Sequence, residues 1–388
     1  MTRPLISCFL SGLVALGCRE ERAVVERIER DSAGVHIVEF TFPPTRAARV
    51  ELRELIRIGE ADGADDFIFS RVVGGVLLDD GSFVVADQGT SEVRVFSPTG
   101  DLLRRHGREG QGPGEYEYIR AVGRCSASGF SVFDLHWAVS EYDRTGSFLS
   151  ERPLRLSDLS TPYALACSRL GRLAVTNWDV SSFGAIGVYE AMAHLRLLDS
   201  TGTEAHDLGV RIGSQRFGTE TGSGPHPFGS STHVAFDGED LIVADGSFFG
   251  YEQWSPRGEL LQIVRLKVSP PDLDSLIDAY VAHGVAQAEG DERQRRVREF
   301  GESLRSLRTA SHFADMRVLG GRVLVQVHAA APGTGPWFAF DQDGTPLGRL
   351  PLPEGVRLLD VVDDRLLATQ LGEFDVPQVV LYDARWRE

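Results

Sequence analysis

The chain has 388 residues, 42% of them hydrophobic and 25% charged, with 40 Lys and Arg against 56 Asp and Glu, a formal charge of −16. That length and apolar content support a large core and exclude a disordered or collagen-like chain. The acidic balance, with basic residues scattered along the sequence, argues against a nucleic-acid partner and against adsorption to anionic lipid.

At the N-terminus Arg3 precedes an apolar run from Leu5 to Leu16 that ends at Gly17-Cys18. One positive charge, a short apolar stretch and a small residue before the cut predict a secretory signal peptide over residues 1–17. A permanent span needs about 20 apolar residues, which this run lacks. Ala15-Leu16-Gly17-Cys18 resembles a bacterial lipobox, with Ala15 where Leu is commoner. The resemblance implies cleavage before Cys18, palmitate or related lipid on Cys18, and a tether in the charged run 19–30, within a tether and N-terminal strand region of 18–49. Arg19 in place of Asp after the cysteine implies sorting to the outer membrane, facing the periplasm or the cell surface. Acyl chains contribute about 0.8 kcal/mol per buried methylene, so such an anchor needs no transmembrane helix. An ordinary secreted protein with an incidental Cys18 is the other reading.

Internal repeats organise the rest. Gly75 to Asp87, Glu92 to Phe96, Ser97-Pro98-Thr99-Gly100 and Asp101 to Arg105 form three apolar or alternating runs of strand length, separated by Asp-Gly and Pro-x-Gly turn signals. The cadence returns at 122–146, 164–202, 234–258, 316–344 and 358–383. The last copy lacks its final strand, and Leu52 to Gly59 matches Asp101 to Gly107, so an N-terminal strand is expected to complete it. Six four-stranded units joined this way predict an all-β fold, a six-bladed β-propeller over 50–388 closed by an N-terminal strand, which leaves only short, protected edges. These units, with the loop Gly107 to Tyr116, resemble the bacterial six-bladed β-propeller lipoproteins related to NHL repeats.

Between the fourth and fifth units, about 269–310, alternation stops. Leu273, Leu276, Ile277, Tyr280 and Val281 fit one helical face, and Val297, Phe300, Leu304 and Leu307 another. Pro270-Pro271 at the start, and Gly284 and Gly290 between the two patterns, predict a helical hairpin inserted between blades 4 and 5. It is expected to pack on the propeller's side, a lid over the channel being the alternative.

Few residues suggest chemistry. In the between-blade loop, Gly112, Gly114, Glu115 and Tyr116 lie in a glycine-rich stretch without the Lys-Ser/Thr or helix start that phosphate cradles need, so a turn is expected, with Glu115 and Tyr116 at a face of the ring. Asp87, Asp134, Asn177, Asp245 and Gln370, with Val327 beside His328, end each second strand. They form a candidate axial ring. Related propellers of the gluconolactonase and strictosidine-synthase type hold a metal with acidic and amide residues from several blades, so a calcium site is one reading. Asp and Asn bonding the amides of the next turn is the other, and the favoured one. The ten histidines show no metal-site spacing; His136-Trp137 and His226 lie in expected loops. No Gly-x-Ser-x-Gly elbow occurs.

Cys8 leaves with the signal and Cys18 would carry lipid, leaving Cys125 and Cys167 at matching positions in consecutive blades. Equivalent points one blade apart in a six-fold ring lie one radius from each other, and a disulfide needs Cα atoms within about 7 Å. Two free, half-buried thiols are therefore expected, a bridge requiring both to sit near the axis.

These features predict a monomeric, lipid-anchored envelope propeller that binds a protein, peptide or glycan partner without catalysis, with no cofactor required, calcium possible, and membrane contact only through its anchor. The rival is a calcium-dependent lactonase or lyase working in the central channel.

Overall fold

A computed structural model describes residues 26–387 except 127–128, 136–137, 157–161, 221 and 354. Cys18, the expected leader and His136-Trp137 lie outside the described residues. The rest is all-β apart from two α-helices and three single 3-10 turns.

The strands form six separate sheets, antiparallel but for one added strand pair, here numbered I to VI in the order of their first strands. Those first strands are Val72–Leu77, Ile119–Gly123, Pro162–Cys167, His233–Asp237, Asp315–Leu319 and Arg357–Val362. Each lies against the first strand of the next sheet, and that of sheet VI against that of sheet I. Sheet VI takes its fourth strand, Val50–Ile58, from the other end of the chain, paired antiparallel with Pro377–Trp386 from Val50↔Trp386 to Ile58↔Val379.

Alternation along these strands drives the packing. In Phe83–Asp87 and Gly129–Asp134 every residue is buried, because one face meets the preceding sheet and the other the following one. Accordingly the core is divided: six apolar clusters each fill the gap between successive sheets, such as Val84, Val95, Phe130, Val132 and Tyr142 between I and II.

Antiparallel order puts the starts of all six first strands on one face, termed upper, with the ends of the second and fourth strands. The lower face carries only connections of two to five residues. One turn device recurs there: Asp143 accepts from the amides of Thr145 and Ser147, both at 2.8 Å, and Asp199 and Asp341 repeat it. Apart from 42–49, which runs from the upper end of one sheet to the lower start of Val50–Ile58, the long connections are on the upper face, up to the 48 residues of 267–314.

That longest connection holds α1 (Leu273–Gln287) and α2 (Asp291–Leu304). Asp272 caps α1, accepting from the Ser275 amide at 3.1 Å. Gly284, expected between the helices, instead lies inside α1, and the turn is made at Gly290 with φ 84°. The physical reason is close packing: a Cβ on Gly284 would stand 2.9 Å from Val297, and one on Gly301 would stand 2.1 Å from Val281. In sheet III two strands, Gly187–Leu198 and Glu204–Thr219, run past their neighbour Leu173–Trp178 to form an upright flap, and the helices pack on it through Phe217 and on Phe228. The connection therefore builds a wall on the upper face.

Two further expectations are corrected. Residues 26–30 of the expected tether are strand, part of a hairpin (Glu26–Ser32 and Val35–Thr41) that adds to the outer edge of sheet IV, parallel to Leu260–Leu266. Cys125 and Cys167 are not free thiols: they form a disulfide with Cα atoms 5.2 Å apart. Both stand at the lower ends of adjacent first strands. Gly123 leaves the space, since a Cβ there would sit 2.9 Å from Cys167 Sγ.

Candidate functional site

The first strands enclose a channel with two mouths. A lower cavity of about 770 Å³ and an upper one of about 580 Å³ share Ala121, Leu165, Val234, Met316 and Arg317 in their walls.

The lower mouth is electrically matched. Arg124 pairs with Asp360 at 3.3 Å and Arg169 with Asp79 at 3.2 Å. Asp360 is buried and accepts from the amides of Leu77 and Val361, each at 2.8 Å, which ties sheet VI to sheet I. Burial raises its carboxyl above the ordinary range, with Arg124 and the two amides pulling the other way.

The upper mouth is not matched. Arg71 and Tyr118 immediately precede the first strands of sheets I and II, and Arg120, His233, Asp315, Arg317 and Arg357 lie in the opening residues of those of II, IV, V and VI. Strand starts converge here, so side chains distant in sequence become neighbours. The Tyr118 ring has two guanidiniums beside it, Arg120 at 4.8 Å and Arg71 at 5.9 Å from its centroid. Asp315 is taken: Arg317 lies at 3.1 Å and His233 Nδ1 at 3.2 Å. Burial pushes its carboxyl up, but Arg317 and His233 outweigh this and hold it well below the usual range. Arg357 donates to the Val72 carbonyl. Burial, reinforced by repulsion from Arg317 and Arg71 and opposed by Asp315, pushes its guanidinium down to about 10.

Of the residues singled out from sequence, Asp134 lines the upper mouth, while Asp87, Asn177, Asp245 and Gln370 stand elsewhere. Asp87 accepts from the amides of Ser70 (2.9 Å), Arg71 (2.7 Å) and Gly89 (3.1 Å), and Asp134 from Glu117 (3.1 Å) and Tyr118 (2.7 Å). Each clamps the segment that enters its own sheet, and so sets the backbone of the mouth residues Arg71 and Tyr118. Asn177 accepts from Arg196, Asp245 caps its own turn through the Ser247 amide at 2.9 Å, and Gln370 pairs with Gln378 in the sheet ladder. Among the described residues no three His, Cys, Asp or Glu side chains come together as metal ligands.

In the glycine-rich loop, Glu115 pairs with Arg108 and accepts from the Gly112 amide at 3.0 Å, while Gly114 adopts φ 74°. Tyr116 is not at a face: it is fully buried, its hydroxyl bonded to that of Tyr142. His226 lies under the helical wall with Nε2 3.0 Å from the Leu304 carbonyl, and His328 Nε2 is 2.8 Å from Ser311 Oγ.

The arginine mouth escaped the sequence reading because its members span residues 71 to 357. Their shared signal is position within the repeat, at or beside the start of each unit's first strand.

No family model and no curated protein matches this sequence. Among solved structures, a Bacteroides fragilis protein provisionally named as exported is similar over 88% of this chain and 96% of its own, at 15% identity and a TM-score of 0.51. That likeness is one of fold. Streptogramin B lyase aligns over 87% of this chain and 98% of its own (10% identity, TM-score 0.43). A member of the DUF4221 family from Bacteroides vulgatus aligns over 88% and 99% (8% identity, TM-score 0.49).

Proposed function

We propose that the chain is a six-bladed β-propeller, its sheets I to VI the blades and Val50–Ile58 the closing strand, that is exported, lipid-anchored through Cys18, and works as a monomeric binding module for a peptide, glycan or protein group presented at the upper mouth. The observation that carries this reading is convergence: first-strand starts from five sheets bring charged and aromatic side chains to one opening, on the face that carries most of the long connections. Long connections on a rigid scaffold are where binding residues concentrate. The fold alone names no activity.

A second reading, an enzyme of the lactonase or lyase class, draws on His233 and Asp315. A carboxylate on Nδ1 leaves Nε2 as the basic nitrogen, the arrangement a general base uses. Calcium plays no part in the binding reading.

Binding of the mature protein to glycan and peptide arrays, beside Ala121→Trp, which fills the channel wall, tests the proposal. Array ligands held by the native protein, released unchanged and lost in the variant, are expected. Chemical conversion of a bound ligand, abolished in His233→Gln, would overturn it in favour of the enzyme.

A further inference from the structure

The two mouths of the channel differ in how their arginines are balanced. At the lower mouth Arg124 and Arg169 each have a carboxylate. At the upper mouth Arg71, Arg120 and Arg357 have none within ion-pairing distance among the described residues, while Asp315 is held by Arg317 and His233, and Asp134 accepts backbone amides. Four guanidiniums thus face one opening of about 580 Å³ in a chain whose formal charge is −16.

The geometry points to the upper mouth as an oxyanion site, in which Arg71, Arg120 and Arg357 receive a carboxylate, phosphate or sulfate group of a small ligand beside the Tyr118 ring. This rests on the reading of that mouth as the ligand seat and names the chemistry it selects. Three observations argue for it. Four guanidiniums share this mouth with only two carboxylates, Asp134 and Asp315; crowding like charges in that excess is costly, and a bound anion relieves it. Guanidinium presents planar, paired N–H donors that match oxyanion geometry. The arginines are also prearranged: Arg71 and Arg120 rest on Tyr118, Asp87 and Asp134 fix the backbone under Arg71 and Tyr118, and Arg357 is tied to the Val72 carbonyl. Little ordering entropy then remains to oppose binding. The cavity volume falls within the range of small-ligand sites. A small anion also meets less of the acidic exterior than a folded acidic partner would, so the field of the mouth is not cancelled at contact.

Titration calorimetry of the mature protein at low and moderate salt tests this, with galacturonate against galactose as a carboxylate pair differing in charge, and with inorganic phosphate and sulfate. Galacturonate, phosphate or sulfate is expected to bind while galactose does not, and affinity is expected to fall with salt. Whichever anion binds identifies the oxyanion. In Arg71→Gln/Arg120→Gln, exposed positions with no structural ion pair, affinity is expected to drop at least tenfold; Arg169→Gln at the lower mouth is expected to bind as the native protein does. Anion binding equal in native and Arg71→Gln/Arg120→Gln proteins, or no anion binding at all, would overturn the assignment. Neutral array ligands lost in Ala121→Trp but indifferent to Arg71→Gln/Arg120→Gln would overturn it too, while leaving the binding-module reading standing.

Discussion

Asp360, on the first strand of sheet VI, accepts the backbone N–H of Leu77, on the first strand of sheet I, at 2.8 Å across the seam where the last repeat meets the first. The same carboxylate holds Arg124 from sheet II at 3.3 Å. Three of the six sheets therefore meet on one buried side chain.

Asp360→Ala is expected to destabilise the protein by about 2–4 kcal/mol, because it leaves a buried amide and a half-buried guanidinium without their acceptor. Equilibrium denaturation in urea measures this. A loss under about 0.5 kcal/mol would show that solvent replaces the carboxylate at no cost.

The disulfide closes a loop of 42 residues. In the chain-entropy model a loop of that length contributes about 4 kcal/mol. Cys125→Ser/Cys167→Ser is expected to lower the denaturation midpoint correspondingly. Thiol titration of the unreduced, denatured mature protein should find neither residue free; two free thiols there would contradict the bridge.

Gly301→Ala places a methyl group against Val281 where α1 and α2 touch. Overpacking of this kind costs about 1–3 kcal/mol, and the expected result is local: faster proteolytic cutting within 269–310, with the far-ultraviolet β signal retained. Gly222→Ala, with open space around its Cβ position, serves as the control.

Two buried histidines predict a pH dependence. His328 faces Ser311 and the Phe228 ring, with His226 nearby, and burial pulls it down to about 4; burial also depresses His226. Their unfolded-state value is near 6.5. Between those values the unfolded chain binds protons that the folded chain refuses, so stability is full above about pH 6.5 and falls on acidification towards pH 4. For His328 the fall is about 3 kcal/mol. Denaturation at a series of pH values should show a shallower slope in His328→Gln than in the native protein; parallel slopes would remove His328 as the cause.

The sheets were legible because their turns are chemical: Asp-Gly and Pro-x-Gly recur between alternating runs, and Leu52 to Gly59 repeats Asp101 to Gly107 closely enough to expose the shared strand. Closely packed helix faces were not, since Gly284 reads as a break until Val297 is seen to need its space. Nor was the cysteine distance, which depends on how near the axis a first strand ends. The arginine mouth illustrates the larger difficulty. Arg71, Arg120 and Arg357 look scattered along a line, and only the return of the chain to the same point in successive sheets makes them a cluster.

The hairpin on sheet IV also sets a distance. Glu26 pairs with Thr41, whose strand runs parallel to Leu260–Leu266, so the chain enters the fold at the upper rim of that sheet. Eight residue steps separate Glu26 from Cys18, a reach of at most about 28 Å. A lipid on Cys18 would hold that rim close to the bilayer, with the upper opening looking into a narrow gap between protein and headgroups. Whatever enters would arrive sideways, through a gap no taller than that tether allows.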